Sequence, residues 1–249
     1  MYLYALLFLS VLMMNRRKKD KKTSYDFSKT RVGDVIKFGT YEQETKNVGG
    51  NYAAFYKSPI EWIVLEKSGD KMLLSKYGLD CQVYNSESSD VTWESCTIRR
   101  WLIEELYNTA FNKTEKQLIK ESLIINDDNP KYGTAGGKDT KDKVFLLSIS
   151  DTENTRYGFG SDEYSCDKNG MCVPTEYAVA KGARQVNGTE AEGVTADMIG
   201  KCWWWLRSPG ISGYYAALMK GNGHVNGNGS SVCSDAYAVR PAMYINLKS

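Results

Sequence analysis

Trp203-Trp204-Trp205-Leu206-Arg207-Ser208-Pro209-Gly210 and Ala238-Val239-Arg240-Pro241-Ala242-Met243-Tyr244-Ile245 are two apolar blocks near the C-terminus. Residues 211–237 between them are mostly small, polar or tyrosine. Short apolar runs bounded by turn residues read as strands, and Trp203–Leu206 is the clearest of them. Six glycines lie from Gly210 to Gly229, with Gly221-Asn222-Gly223 and Gly227-Asn228-Gly229 as turn signals. Two fixed blocks around adaptable hydrogen-bonders and tyrosines is the composition of a binding surface held on a scaffold.

That division sorts individual residues. Ser212, Tyr214, Tyr215, Lys220, Asn222, His224, Asn226, Asn228, Ser230, Ser234, Asp235 and Tyr237 are expected to be exposed and to contact a ligand. Tyrosine supplies broad contact area at low entropy cost, while Ser and Asn supply adaptable hydrogen bonds. Trp204, Leu206, Val225, Val232, Val239 and Ile245 are expected in the core. Arg207 and Arg240 are expected to make buried hydrogen bonds that fix the scaffold, because a buried guanidinium needs partners.

Upstream, the chain reads as scaffold. Arg31–Phe38 is strand-like, and Glu61–Lys67 and Lys71–Ser75 flank Ser68-Gly69-Asp70 as a hairpin. Ile98, Trp101, Leu102, Leu106 and Ala110 fall at helical spacing. Thr114 followed by Gln117 has the spacing of a capping box, opening a helix whose apolar stripe is Leu118, Ile119 and Leu123. Residues 126–143 read as an exposed loop, 143–150 as a strand with Asp151 as a helix cap, and 175–183 as a short helix. Residues 184–200 read as a second loop. The α+β content is that of one domain over 30–249, with 203–247 as its C-terminal display region.

Residues 1–24 stand apart. Tyr2–Met14 is mostly apolar and precedes a cluster of six basic residues with one acid, a net charge of +5. The order is opposite to a signal peptide, and the run is shorter than a span of ~20 residues. Two readings stay open: a clipped anchor with the basic cluster on the cytoplasmic side, or an over-extended start. Localisation is open in the same way, between membrane-anchored or cell-surface and cytoplasmic. The remaining residues carry 26 basic and 29 acidic side chains, so a phosphate-tracking nucleic-acid surface is not expected.

The chemistry of catalysis is thin. His224 is the single histidine, so no Ser/His/Asp triad or His cluster can be assembled. No phosphate loop matches GxxxxGK[ST], and Gly221 and Gly223 lack the strand-then-helix setting of a dinucleotide site. Asp235 is the one acid after Trp203, too few for a calcium site built on carboxylates. The six cysteines, Cys81, Cys96, Cys166, Cys172, Cys202 and Cys233, lack zinc spacing. Cys81/Cys96 and Cys166/Cys172 are candidate local staples, with free buried thiols as the alternative. Neither an enzyme nor a bound cofactor or metal is expected.

Trp204–Gly210, the Ala216-Ala217 pair, Val239-Arg240-Pro241-Ala242, and Thr92-Trp93-Glu94 with Cys96, Arg99, Trp101 and Leu102 resemble a bacterial domain family. That family is related to the C-type lectin-like fold of formylglycine-generating enzymes. The resemblance covers roughly residues 30–247. It implies helices packed around small antiparallel sheets with an irregular C-terminal ligand face. The same scaffold carries the variable proteins of diversity-generating retroelements, whose C-terminal codons are diversified at adenines. Ile211–Tyr237 holds the residue types such mutagenesis produces. The implied function is recognition of a protein or glycan. The enzyme branch of the resemblance implies instead an oxidase using a cysteine pair and copper, with Cys166/Cys172 and Cys202/Cys233 as candidate pairs. A structural domain of a surface protein is the third alternative.

Overall fold

A computed structural model describes residues 27–47, 53–65, 71–160, 169–188 and 194–246. The N-terminal tail, the Ser68–Asp70 turn, Cys166 and Leu247 lie outside the described residues. The chain builds a mixed, sheet-rich α+β structure. The first sheet has five strands in the order β1 (Val35–Asn47), β2 (Ala53–Val64), β3 (Lys71–Ser75), β14 (Ala242–Ile245), β6 (Ile119–Lys120). The second has the order β12 (Val225–Ser231), β11 (Tyr215–Met219), β10 (Trp204–Pro209), β13 (Ala238–Val239), β5 (Asp80–Cys81). Two short pairings complete it: β4 (Tyr77–Gly78) with β9 (Val173–Pro174), and β7 (Ser122–Ile124) with β8 (Thr140–Asp142).

The two C-terminal blocks hold this arrangement together. β10 is buried along its full length because it lies between β11 and β13. Continuous burial on both faces is why it reads as an unbroken apolar run. Arg240 and Pro241 then carry the chain from the second sheet into the first, where β14 pairs with both β3 and β6. Arg240 is 1% exposed, donates Nε to Ser75 O at 2.9 Å, and bonds Asn169 O. Its guanidinium also lies 4.9 Å from the Trp204 ring centroid. Arg207 is pinned the same way, to Leu146 O at 2.8 Å, Ile125 O at 3.0 Å and the Asp151 carboxylate. Both arginines are buried and tied into the scaffold as the sequence predicts, although Arg207 Nε is left without a partner among the described residues.

The core is aromatic, and its polar edges are satisfied. Trp62, Trp93, Trp204 and Trp205 are each at most 1% exposed. Each indole N–H finds an acceptor, on Phe38 O, Asp142 Oδ2, Gly170 O and Gln82 O respectively. This is how a buried tryptophan avoids the cost of an orphaned donor. Asp142, 1% exposed, also takes the Arg99 guanidinium at 2.7 Å and the Thr140 hydroxyl. Trp93 and Arg99 thus converge on one buried carboxylate, and Arg99 also donates to Glu94 O at 2.9 Å.

The hairpin over 61–75 forms as predicted, with Ile63 opposite Leu74. The helix at Ile98 forms as three joined segments, Thr97–Trp101, a π-helical Leu102–Leu106, and Tyr107–Ala110. The predicted short helix is Glu176–Ala180, capped by Thr175.

Other expectations fail for identifiable reasons. The capping box is Asn112 with Glu115, not Thr114 with Gln117. The upstream box wins because Glu115 also accepts from Gly39 N at 3.3 Å, tying the helix start to the first sheet. That helix stops at Leu118, and Ile119 continues as β6 against Ile245. Leu123 consequently leaves the predicted stripe and is 59% exposed in β7. Residues 143–150 do not form a strand. Val144–Leu147 are buried, but only Phe145 bridges, to Ala242. Ser148, not Asp151, caps the following helix Ile149–Thr152, with Asp151 as its box partner. Among the described residues, no helix is long and apolar enough to cross a membrane.

Candidate functional site

β10, β11 and β12 form an antiparallel meander, and its two connections carry the polar stretch to the surface. At one end, Lys220 N donates to His224 O at 2.8 Å and Gly223 N to Lys220 O at 2.9 Å. The Asn222 side chain accepts from His224 N at 3.1 Å, closing the tight turn that Gly221-Asn222-Gly223 predicts. At the other end, Ile211, Tyr214 and Tyr215 are 49%, 48% and 41% exposed. β11 separates the two ends by its five residues, so they form two patches on one face.

Gly227-Asn228-Gly229 is not a turn between strands, which corrects the sequence reading. It lies inside β12 as a bulge. Ala216 pairs with Ser230, yet Leu218 pairs with Asn226, leaving extra residues on β12. Gly229 takes φ of 77°, and a Cβ there would sit 2.3 Å from Ala216 O. Only glycine fits that close approach. The bulge turns Asn228 outward, where its side-chain oxygen accepts from the Tyr132 hydroxyl.

The bulge is fixed from below by Asn129. This residue is 1% exposed and donates Nδ2 to Pro209 O at 2.8 Å, Gly227 O at 2.9 Å and Gly210 O at 3.3 Å. Its Oδ1 accepts from Lys131 N and Tyr132 N. Residues 126–143 are therefore not a plain exposed loop, since Asn126, Asn129, Thr140 and Asp142 are all buried. The loop has been drawn in because one Asn side chain satisfies carbonyls of β10, its end and the bulge at once. Lys131 and Tyr132 arrive at the face as a result. Sequence reasoning missed all three, and the Asn129-Pro130 turn signal was the single trace of them.

The turn, the bulge and Lys131 enclose a cleft of about 210 Å³. Its lining is Lys131, Lys220, His224, Val225, Asn226, Gly227 and Asn228. Four of the predicted contact residues meet here, Lys220, His224, Asn226 and Asn228. The lining holds two lysines and no carboxylate. Asn222 stands in the turn beside it, and Ser212, Tyr214 and Tyr215 form the second patch. Ser230, within β12, and Ser234 and Asp235, beyond it, are partly or fully exposed and do not line the cleft.

Tyr237 is a correction. It is 9% exposed, stacked on Trp203 at 5.8 Å and edge-on to Trp205 at 4.7 Å. Its hydroxyl reaches Ser230 Oγ at 3.0 Å. Adjacency to β13 makes it part of the C-terminal block rather than of the contact surface. By contrast Trp204, Leu206, Val225, Val232, Val239 and Ile245 are buried as expected.

A second cleft, of about 320 Å³, lies between the β1–β2 hairpin and helix Glu176–Ala180. Its lining includes Lys37, Gln43, Glu61, Tyr77 and Thr175, and none of the predicted contact residues. Nearby, burial raises the Asp80 carboxyl above its ordinary value, although Tyr41 Oη donates to it at 2.6 Å. Cys81 and Cys96 are buried free thiols, each pushed up to about 12, chiefly by burial. They are not joined to each other, so the local staple Cys81/Cys96 is absent from this structure. Among the described residues, no cluster of three or more His, Cys, Asp or Glu side chains is placed to hold a metal.

Residues 68–247 match the family described as Domain of unknown function (DUF6273), and the chain belongs to that family. No curated protein and no solved structure matches. The match begins inside the first sheet. β1 and β2 precede it, yet β2 pairs with β3 within it.

Proposed function

We propose that this member of the family recognises a ligand with its C-terminal face, on a scaffold of C-type lectin-like type. The observation that carries the reading is the 210 Å³ cleft, where Lys220, His224, Asn226 and Asn228 converge with Lys131. Amide side chains and a histidine provide adaptable hydrogen bonds, and the two lysines of the lining favour an anion. The cleft is smaller than a drug-sized pocket, so it takes a single group. An acidic sugar residue or an acidic side chain of a protein partner fits that description. Tyr214, Tyr215 and Ile211 supply the broader apolar contact beside it.

The reading of the fold rests on the return of β14 into the first sheet and on the irregular, polar surface of the β10–β12 meander. In the retroelement version, the exposed positions of 211–235 are the diversified ones, and the buried blocks on either side are fixed because every residue of β10 is packed. The genome tests that version. A neighbouring reverse transcriptase and an imperfect repeat of the last ~100 bases are expected, and absence of both removes it. Recognition itself is tested with arrays of acidic and neutral glycans and peptides. Wild type is expected to retain acidic ligands, and the Lys131→Ala/Lys220→Ala double variant to lose them without a change in melting temperature. Equal retention by both proteins would sink the site.

A further inference from the structure

We propose that Cys172 and Cys202 form a disulfide in the oxidised protein, a covalent link that none of the sequence-based pairings contains. The two residues are antiparallel bridge partners, with Cys202 N donating to Cys172 O at 2.7 Å. Residues directly opposite in such a ladder have Cα atoms about 4.5–5.5 Å apart. That spacing lies within the range a disulfide spans, so closing the bond needs side-chain rotation and not backbone movement. The two thiols are close enough to influence each other's ionisation, while Cys172 Sγ donates to Val173 O at 3.6 Å and Lys76 O at 4.0 Å. Both are free thiols here, 1% and 0% exposed.

The other described cysteines lack this arrangement. Cys81 donates to Asp235 O and Tyr237 O, and Cys96 to Trp93 O. Gly78 opens the space on the far side of Cys202, because a Cβ there would lie 3.4 Å from its Sγ and 2.7 Å from the Ala238 side chain.

Burial opposes ionisation of both thiols. At Cys172 the hydrogen bond from Cys202 and the Arg240 charge outweigh it and hold the thiol lowered, to about 7, whereas burial keeps Cys202 well up. Either thiol can attack first, with the same products. The oxidant is a low-molecular-weight disulfide such as oxidised glutathione. Starting from Cys172, the thiolate attacks one of its sulfurs, its S–S bond breaks, and one thiol leaves with a proton. Cys202 then loses its proton and attacks the Cys172 sulfur of the mixed disulfide, releasing the second thiol. Two protein thiols become one disulfide, and one small disulfide becomes two thiols. Because both sulfurs are buried, the exchange occurs before residues 169–173 dock against the strand, or while they are undocked.

The closed loop runs from 172 to 202 and contains helix Glu176–Ala180 and the Gln185–Cys202 bridge. Constraining a loop of this length in the unfolded chain raises the melting temperature by about 10 °C. The test refolds the full chain from denaturant with oxidised glutathione or with dithiothreitol, then maps peptides without reduction. The expected result is a cross-linked peptide pair joining Cys172 to Cys202, with a melting temperature about 10 °C above the reduced sample. Cys202→Ser is expected to retain glutathione on Cys172 and to show no such rise. The mapping of the wild-type chain stands whether or not that variant folds. A cross-link joining Cys172 to a different cysteine, or recovery of both as thiols after oxidative refolding, would overturn the proposal.

Discussion

β10 and β12 lie in one sheet but are opposites in use. β10 has every residue buried, including Arg207 and Ser208, whose side chains bond carbonyls, Asp151 and Ile149 N. β12 has glycines at its bulge and presents Asn226, Asn228, Ser230 and Ser231 partly or fully to solvent. β11 separates the two strands in one sheet. The lesson is that polar residues mean different things on each. A polar side chain on the central strand is a structural tie bonded into the core, while one on the edge strand keeps bonding capacity for something else.

Substitutions can break that contrast or sharpen it. Arg240→Ala, on the scaffold side, removes the bonds to Ser75 O and Asn169 O and opens a cavity beneath Trp204. It should cost about 4 kcal/mol by denaturant unfolding. Tyr237→Ala is expected to cost about 3 kcal/mol, because it empties the space between Trp203 and Trp205. If instead it leaves stability unchanged and removes binding alone, Tyr237 belongs to the contact surface and the contrast is drawn in the wrong place. Gly229→Ala should cost about 2 kcal/mol through strain at the bulge and a collision with Ala216 O. Lys220→Ala and His224→Ala are expected to move stability by less than about 0.5 kcal/mol while weakening an acidic ligand roughly tenfold each. Loss of stability from these two would place them on the scaffold side.

The scaffold half of this contrast was legible in the sequence, and the face was legible only in part. Trp204–Leu206 declare themselves by continuous apolarity, and buried Arg207 and Arg240 by the rule that guanidinium groups in apolar runs need partners. The 61–75 hairpin and the helix at Ile98 follow from local pattern. What escaped depended on contacts between residues far apart in the chain. Asn129 looks like a loop residue, and its role exists only because three carbonyls from 209, 210 and 227 converge on it. Gly227-Asn228-Gly229 has the composition of a turn, and the pairing of Ala216 with Ser230 makes it a bulge. Tyr237 has the composition of a contact residue, and two tryptophans bury it. Thr114 lost its capping role to Asn112 because Glu115 had a second partner in Gly39. In each case local chemistry was read correctly and a tertiary partner decided between its uses.

The central claim is that the edge strand and its turn hold a cleft that selects an anionic group. Two-dimensional amide NMR of the full chain, titrated separately with glucuronate and with glucose, tests it most directly, since the two sugars differ at C6, carboxylate against hydroxymethyl. Glucuronate should shift the amides of Lys131 and of residues 220–228 and leave β10 unmoved, with glucose shifting neither, and with the glucuronate shifts weakening as salt rises. Shifts from both sugars alike, or from neither, would contradict the account.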